Sequence, residues 1–314
     1  MLYTFAPMEG ITTSIFRTVY HRRFPAADRY YMPFLSPTSE HRLTPRERRE
    51  VAPEWNRELP VVPQIITRHA EDFLWAAETL ADMGYPEVNL NLGCPSATVT
   101  AKGKGSGLLL HPDELCAMLD TVYEKSPVPV SIKTRIGYHD ASEWERLLSI
   151  YLRFPVRELI VHPRTRQELY TGEVHMDAYL LAERECPFPV CYNGDLATPM
   201  LCRDFAQAHP TAHALMIGRG AVRDPAFFRI LSGGAPADKG ELLAFHTELY
   251  DAYTAELGRH NAMRKMKEVW HLLIGSFENS EKEQKKLART QNAADFEAIV
   301  ADVFQRLELK KTEN

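Results

Sequence analysis

Eight short apolar or β-branched runs punctuate about the first 220 residues, at 2–6, 29–34, 61–66, 87–92, 128–133, 158–162, 189–193 and 213–217. Most are separated by segments with helical periodicity. Residues 70–83 place Phe73, Leu74, Ala77 and Leu80 on one face, and residues 112–123 place Leu115, Met118, Leu119 and Val122 on another. Eight strands alternating with helices predict an α/β fold, a (β/α)8 TIM barrel. A doubly wound sheet is the competing architecture. It lacks support, because Ala6-Pro7-Met8-Glu9-Gly10 follows the first run where a Gly-x-Gly-x-x-Gly turn would be needed.

The barrel is assigned to residues 1–230. Beyond it, Ser232-Gly233-Gly234-Ala235-Pro236 reads as a linker, and residues 238–314 read as a helical-bundle domain. Its last helix is expected to start at an Asn292 cap and to bury Phe296, Ile299, Val300, Val303, Phe304 and Leu307. Residues 259–289 hold eight Lys/Arg against four acids, while the whole chain has a net charge of -5. A polyanion would therefore need this local patch, although a solvated helix face explains the charge equally well. Five cysteines without a close CxxC pair argue against a disulfide framework and fit the cytoplasm. His162, His175, Cys186 and Cys191 match no common zinc spacing, so no metal is expected. No apolar stretch approaches bilayer length, so no membrane partner is expected, and no protein partner is implied.

In such a barrel the chemistry gathers at the C-terminal ends of the strands. Those ends are polar here: Pro7 and Met8 after the first, Gln64 in the third, Asn91 and Cys94 at the fourth, Lys133 and Arg135 at the fifth. His162 and Arg164 follow at the sixth, Asn193-Gly194-Asp195 at the seventh and Gly218-Arg219-Gly220 at the eighth. The glycine turns after the last two strands suit a phosphate, because backbone N–H groups can approach its oxygens closely. Lys133 interrupts an otherwise apolar strand, where a cation would stabilise a reduced, anionic flavin. FMN is the cofactor these features suggest. Cys94, presented where a strand breaks into Gly93-Cys94-Pro95, is a candidate catalytic thiol, and Gly103-Lys104-Gly105-Ser106-Gly107 beside it reads as a mobile basic loop.

Several segments carry a more specific signal. Ala6-Pro7-Met8-Glu9-Gly10-Ile11-Thr12, Asn91-Leu92-Gly93-Cys94-Pro95-Ser96, Ser131-Ile132-Lys133-Thr134-Arg135-Ile136-Gly137, Val161-His162-Pro163-Arg164-Thr165, Asn193-Gly194-Asp195 and Met216-Ile217-Gly218-Arg219-Gly220-Ala221 come in a fixed order. Together they resemble the flavin-dependent tRNA-dihydrouridine synthase family. The resemblance implies that Pro7, Met8, Gln64, Lys133, His162, Asn193, Gly194, Gly218 and Arg219 contact FMN. It implies that Asn91 and Arg135 sit by the uracil, that Cys94 donates a proton, and that NADPH recharges the flavin. Arg264, Lys265 and Lys267 resemble the basic helix of the family's tRNA-binding domain. The chain departs from the family at Thr13 (usually Asp), Ala97 (often Lys), Pro163 (usually Gly) and Arg223-Asp224 (often Gly-Asn).

The implied reaction, uridine to 5,6-dihydrouridine in tRNA, needs a hydride at C6 and a proton at C5. A thiol with an ordinary pKa near ~8.5 is protonated at neutral pH and fits the second need. The target base would be extruded from the RNA, with Lys102 and Lys104 gripping the backbone. The competing reading is an FMN-dependent barrel reductase of a small-molecule enone or pyrimidine, which would have no use for basic C-terminal helices. A non-catalytic RNA-binding protein would have no use for Cys94 and Lys133 together.

Overall fold

In a computed structural model, which describes residues 1–311, nine parallel strands form one sheet in the order β3-β2-β1-β9-β8-β7-β6-β5-β4. They are β1 (Leu2–Phe5), β2 (Arg29–Tyr31), β3 (Val61–Val62), β4 (Gln64–Ile65), β5 (Val88–Leu92), β6 (Val130–Gly137), β7 (Leu159–Thr165), β8 (Val190–Tyr192) and β9 (Ala214–Ile217). The two ends of this order, β3 and β4, are separated only by Pro63. Proline has no N–H to donate, so the ladder is interrupted there, yet the Pro63 carbonyl still accepts from Asn89 N at 2.8 Å. Val61–Val62 pairs with β2 and Gln64–Ile65 with β5, so the two halves act as one stave and close the barrel. The eight predicted strands are thus recovered, the third in two pieces.

β6 and β7 run further than their apolar runs indicate, to Gly137 and Thr165. Their pairing continues past a register shift between Arg135 and Gly137. Arg135 and Arg164 therefore project from strands rather than loops, which fixes them more firmly. A separate apolar cluster fills the barrel interior, with Ala6, Tyr31, Val62, Ile160, Cys191, Ala214 and Met216.

A larger core lies between the strands and the surrounding helices and continues into the C-terminal helices. Helix Lys239–Leu257 starts in a capping box between Asp238 and Glu241. It sets Phe245 against Phe16 and Tyr20 of helix Ser14–Arg23 and against Phe24, which caps that helix, with ring centroids 5.8–6.1 Å apart. Helix Arg259–Leu273 follows, then Glu281–Arg289 and Ala293–Arg306. Trp270 is fully buried among them, donating its indole N–H to His246 Nδ1 at 3.1 Å and stacking on Phe277. Asn292 caps the last helix as predicted, and Phe296, Val300, Val303 and Phe304 are buried while Ile299 is only half-buried. The last three residues of the predicted C-terminal domain lie outside the described residues. Among those described, no helix is long and apolar enough to cross a membrane.

Candidate active site

Cys94 emerges directly after β5, and its backbone is gripped from both sides. Asn91 Oδ1 accepts from Gly93 N at 3.0 Å and from Cys94 N at 2.9 Å. The Cys94 carbonyl accepts from Ser106 N at 3.2 Å and from Ser106 Oγ at 2.8 Å. The loop expected to be mobile is thus a buried element: Gly105–Leu110 forms a 3-10 turn, and Lys104 Nζ donates to Ser36 Oγ and the Pro37 carbonyl. Gly105 has φ +59°, and a side chain there would lie 2.9 Å from the Cys94 carbonyl oxygen. Only glycine allows that approach. Of the two lysines expected to grip RNA, Lys102 is exposed and Lys104 is tied to its own chain.

Asn91 is oriented in turn by a polar chain that descends the barrel. Asn91 Nδ2 donates to Gln64 Oε1 at 2.7 Å, Gln64 Nε2 to Asn89 Oδ1 at 2.8 Å, and Asn89 Nδ2 to Ser131 Oγ at 3.0 Å. The amide assignments are forced. Two backbone N–H groups can meet only an oxygen, which sets every partner below them.

On the neighbouring strands β6 and β7 stands a group of cations and a histidine. Lys133, in register with Asn91, has no hydrogen-bond or ion-pair partner among the described residues. Burial, aided by Arg135, pushes its ammonium down to about 8. Arg135 is buried, donating from Nε to the Gly93 carbonyl and from Nη1 to the carbonyls of Thr165 and Leu169. His162 is held well below the ordinary histidine range by burial first, then by Arg135, Lys133, Arg164 and Arg219. It is therefore neutral. Arg164 Nη1 lies 3.4 Å from its Nε2, and an arginine can only donate, which places the ring proton on Nδ1. Arg164 also makes a bidentate pair with Asp195. The Cys94 thiol shifts the other way: burial raises it, against the lowering pull of Arg135 and Lys133.

The two glycine turns lie beside these cations. Asn193 Nδ2 donates to the Met216 carbonyl at 2.8 Å and so ties the turn after β8 to β9. The amides of Gly194 and Gly218 have no acceptor among the described residues. A side chain at Gly194 would meet Tyr192 Oη at 2.8 Å, and one at Gly218 would meet Ala6 and Met8 Sδ at 3.4–3.5 Å. Unpaired amides, a lone ammonium and a neutral imidazole with a free N–H fit a phosphorylated, electron-accepting cofactor. Tyr170, 52% exposed, covers the mouth, with the Arg135 and Arg219 guanidiniums 5.2 and 5.1 Å from its ring centre. No pattern in the sequence singled it out. Leu169 before it has φ +53°, and its carbonyl accepts from Arg135 Nη1 at 2.7 Å.

The sequence model of the dihydrouridine synthase (Dus) family matches residues 4–308. The chain belongs to this family. Its relatives include a probable tRNA-dihydrouridine synthase of Staphylococcus epidermidis, 28% identical over 96% of this chain and 93% of that protein. Another is the probable tRNA-dihydrouridine synthase 2 of Bacillus subtilis, 27% identical over 97% and 94% of the two chains. Among solved structures the fold is shared with morphinone reductase, at TM-score 0.53 and 12% identity over 76% of this chain and 87% of that one. A variant of NCR from Zymomonas mobilis gives TM-score 0.53 at 13% identity, over 80% and 92%.

Within this Dus protein, the departure at Thr13 has a structural counterpart. Thr13 caps helix Ser14–Arg23 by accepting from Phe16 N, and its hydroxyl lies 2.6 Å from Tyr253 Oη of the C-terminal helices. Arg223 is likewise packed against Gly275, and its carbonyl accepts from Ser276 Oγ. The three basic residues expected to touch RNA divide. Arg264 is exposed, whereas Lys265 Nζ donates to the Gly10 carbonyl at 3.1 Å and Lys267 Nζ to the Thr290 carbonyl at 2.7 Å. The charge pattern could not distinguish an ammonium facing water from one capping a neighbouring segment. Lys282, Lys285, Lys286 and Arg289 are exposed on helix Glu281–Arg289.

Proposed function

We propose that this oxidoreductase reduces uridine in tRNA to 5,6-dihydrouridine, using FMN reduced by NADPH. The observation that carries the reading is the unpartnered Lys133 ammonium set in register beside the Asn91–Cys94 turn, whose thiol burial keeps protonated. Pro7, Met8, Gln64, Lys133, His162, Asn193, Gly194, Gly218 and Arg219 hold the cofactor. The amides of Gly194 and Gly218 with Arg219 take its phosphate. Lys133 supplies positive charge to the ring, and His162 offers Nδ1–H without adding charge.

FMN held by these residues would supply hydride chemistry at C6 of uracil. Cys94 then gives its thiol proton to C5, and its raised pKa keeps it a donor rather than a nucleophile at neutral pH. Asn91 and Arg135 orient the uracil. Arg135 is held by three backbone carbonyls, so its guanidinium does not turn when a base enters. Tyr170 forms the lid of the pocket that receives the extruded base. Arg264, with Lys282, Lys285, Lys286 and Arg289, forms the cationic surface that an otherwise acidic chain needs to hold tRNA.

The purified protein is expected to be yellow, to release FMN and to form dihydrouridine in tRNA when given NADPH. A colourless preparation that FMN does not restore would overturn the reading. Activity on free pyrimidines or enones equal to that on tRNA would favour the small-molecule reductase.

A further inference from the structure

The turn that follows β1 carries Met8 into the mouth and is closed on itself. Ile11 N and Thr12 N both donate to the Met8 carbonyl at 3.0 Å, and Thr12 Oγ1 accepts from Met8 N at 2.9 Å. Arg17, buried with Glu50 and Asn56, donates to the Thr12 carbonyl and secures the barrel side. On the other side stands helix Arg259–Leu273. Lys265 Nζ donates to the Gly10 carbonyl and lies 3.5 Å from Glu268 Oε2. Gly10 has φ +83°, and a side chain there would lie 2.4 Å from that same Glu268 oxygen. The turn and the helix are thus fitted to each other at one glycine, with an ammonium on its carbonyl and a carboxylate against its α-carbon.

We propose that Lys265, set by Glu268, is a positioning residue for the cofactor: it straps the Met8 turn from the C-terminal helices, so that a basic residue of the helical region serves the flavin site. This rests on the FMN reading above. The mechanism is local. Without the ammonium, the Gly10 carbonyl loses its donor, the positive-φ turn loses its external anchor, and Met8 no longer faces Gly218 at a fixed distance.

The test compares Lys265→Met with Lys265→Arg, Lys267→Met and Arg264→Glu. Lys265→Met is expected to raise the FMN dissociation constant about tenfold, the weight of one charge-assisted hydrogen bond. In the cofactor-free protein it is expected to speed amide exchange at Ile11 and Thr12. Lys265→Arg should restore most of both. Lys267→Met removes an equivalent carbonyl bond from the same helix and should lower the melting temperature without changing FMN affinity, which separates positioning from general loss of packing. Arg264→Glu should weaken tRNA binding alone. Unchanged FMN affinity and unchanged exchange in Lys265→Met, with weakened tRNA binding, would overturn the proposal and make Lys265 an RNA contact. If the wild type binds no FMN but exchange at Ile11 and Thr12 still accelerates in Lys265→Met, the strap stands and the cofactor reading fails.

Discussion

Ser106 holds the carbonyl oxygen of Cys94 with two donors, its backbone N–H and its hydroxyl, at 3.2 and 2.8 Å. The hydroxyl is fully buried and has this carbonyl as its partner. Ser106→Ala keeps the amide contact and removes the other. It should cost about 1–2 kcal/mol of stability and lower uridine reduction several-fold, while the reduction of bound flavin by NADPH proceeds as before. Equal losses in both half-reactions, measured by stopped-flow absorbance and by dihydrouridine formation, would count against a role specific to the thiol.

Cys94→Ala should retain flavin and its reduction while dihydrouridine formation falls on the order of 10²- to 10⁴-fold. The pH dependence has a defined sign. Because burial raises the thiol above its ordinary value, the donor form persists through neutral pH, and the wild-type rate should decline only on the alkaline side. A decline beginning below pH 7 that disappears in Cys94→Ala would contradict the assignment.

Lys133 gives a second pH signature, in the cofactor-free protein. Its folded pKa is lowered to about 8 from 10.5. Below 8 both folded and unfolded states carry the proton, so the full cost of burying the charge is present. Between 8 and 10.5 the unfolded state binds more protons than the folded one, and stability from this group rises with pH. Thermal melts of wild type and Lys133→Met should therefore converge as pH rises through that window. With FMN, Lys133→Met should retain flavin less well or slow its reduction.

Reversal of Arg264, Lys282, Lys285 and Lys286 to glutamate should raise the KM for tRNA and flatten the log–log salt dependence of binding. Each lost phosphate contact removes somewhat under one unit of slope. Flavin content should stay constant. Filter binding across a salt series checks both, and an unchanged slope would move the RNA surface to the barrel's own loops.

The barrel was legible because strands and helices impose different periodicities, and Lys133 because a lysine in an apolar strand has no packing reason to be there. Pro63 hid the division of the third stave, since a two-residue strand on either side still reads as one apolar run. The extensions of β6 and β7 were obscured by Arg135 and Arg164, whose charge resembles a loop. What sequence could not supply was partnership. Neither the tether of Lys104 to Ser36 nor the inward turn of Lys265 has any local signature, and Tyr170 is placed by arginines from two other segments.

The polar chain from Ser131 to Asn91 has a consequence at its upper end. Asn91 Oδ1 is committed to two backbone amides and one Nδ2 hydrogen to Gln64, so the side chain has a single N–H left to offer. Whatever meets Asn91 must bring a lone pair. A pyrimidine edge bearing a carbonyl satisfies it; the same edge bearing an amino group sets donor against donor. With Asn91 beside the base as proposed, discrimination between uracil and cytosine would rest on hydrogen bonds that begin at a serine deep in the barrel.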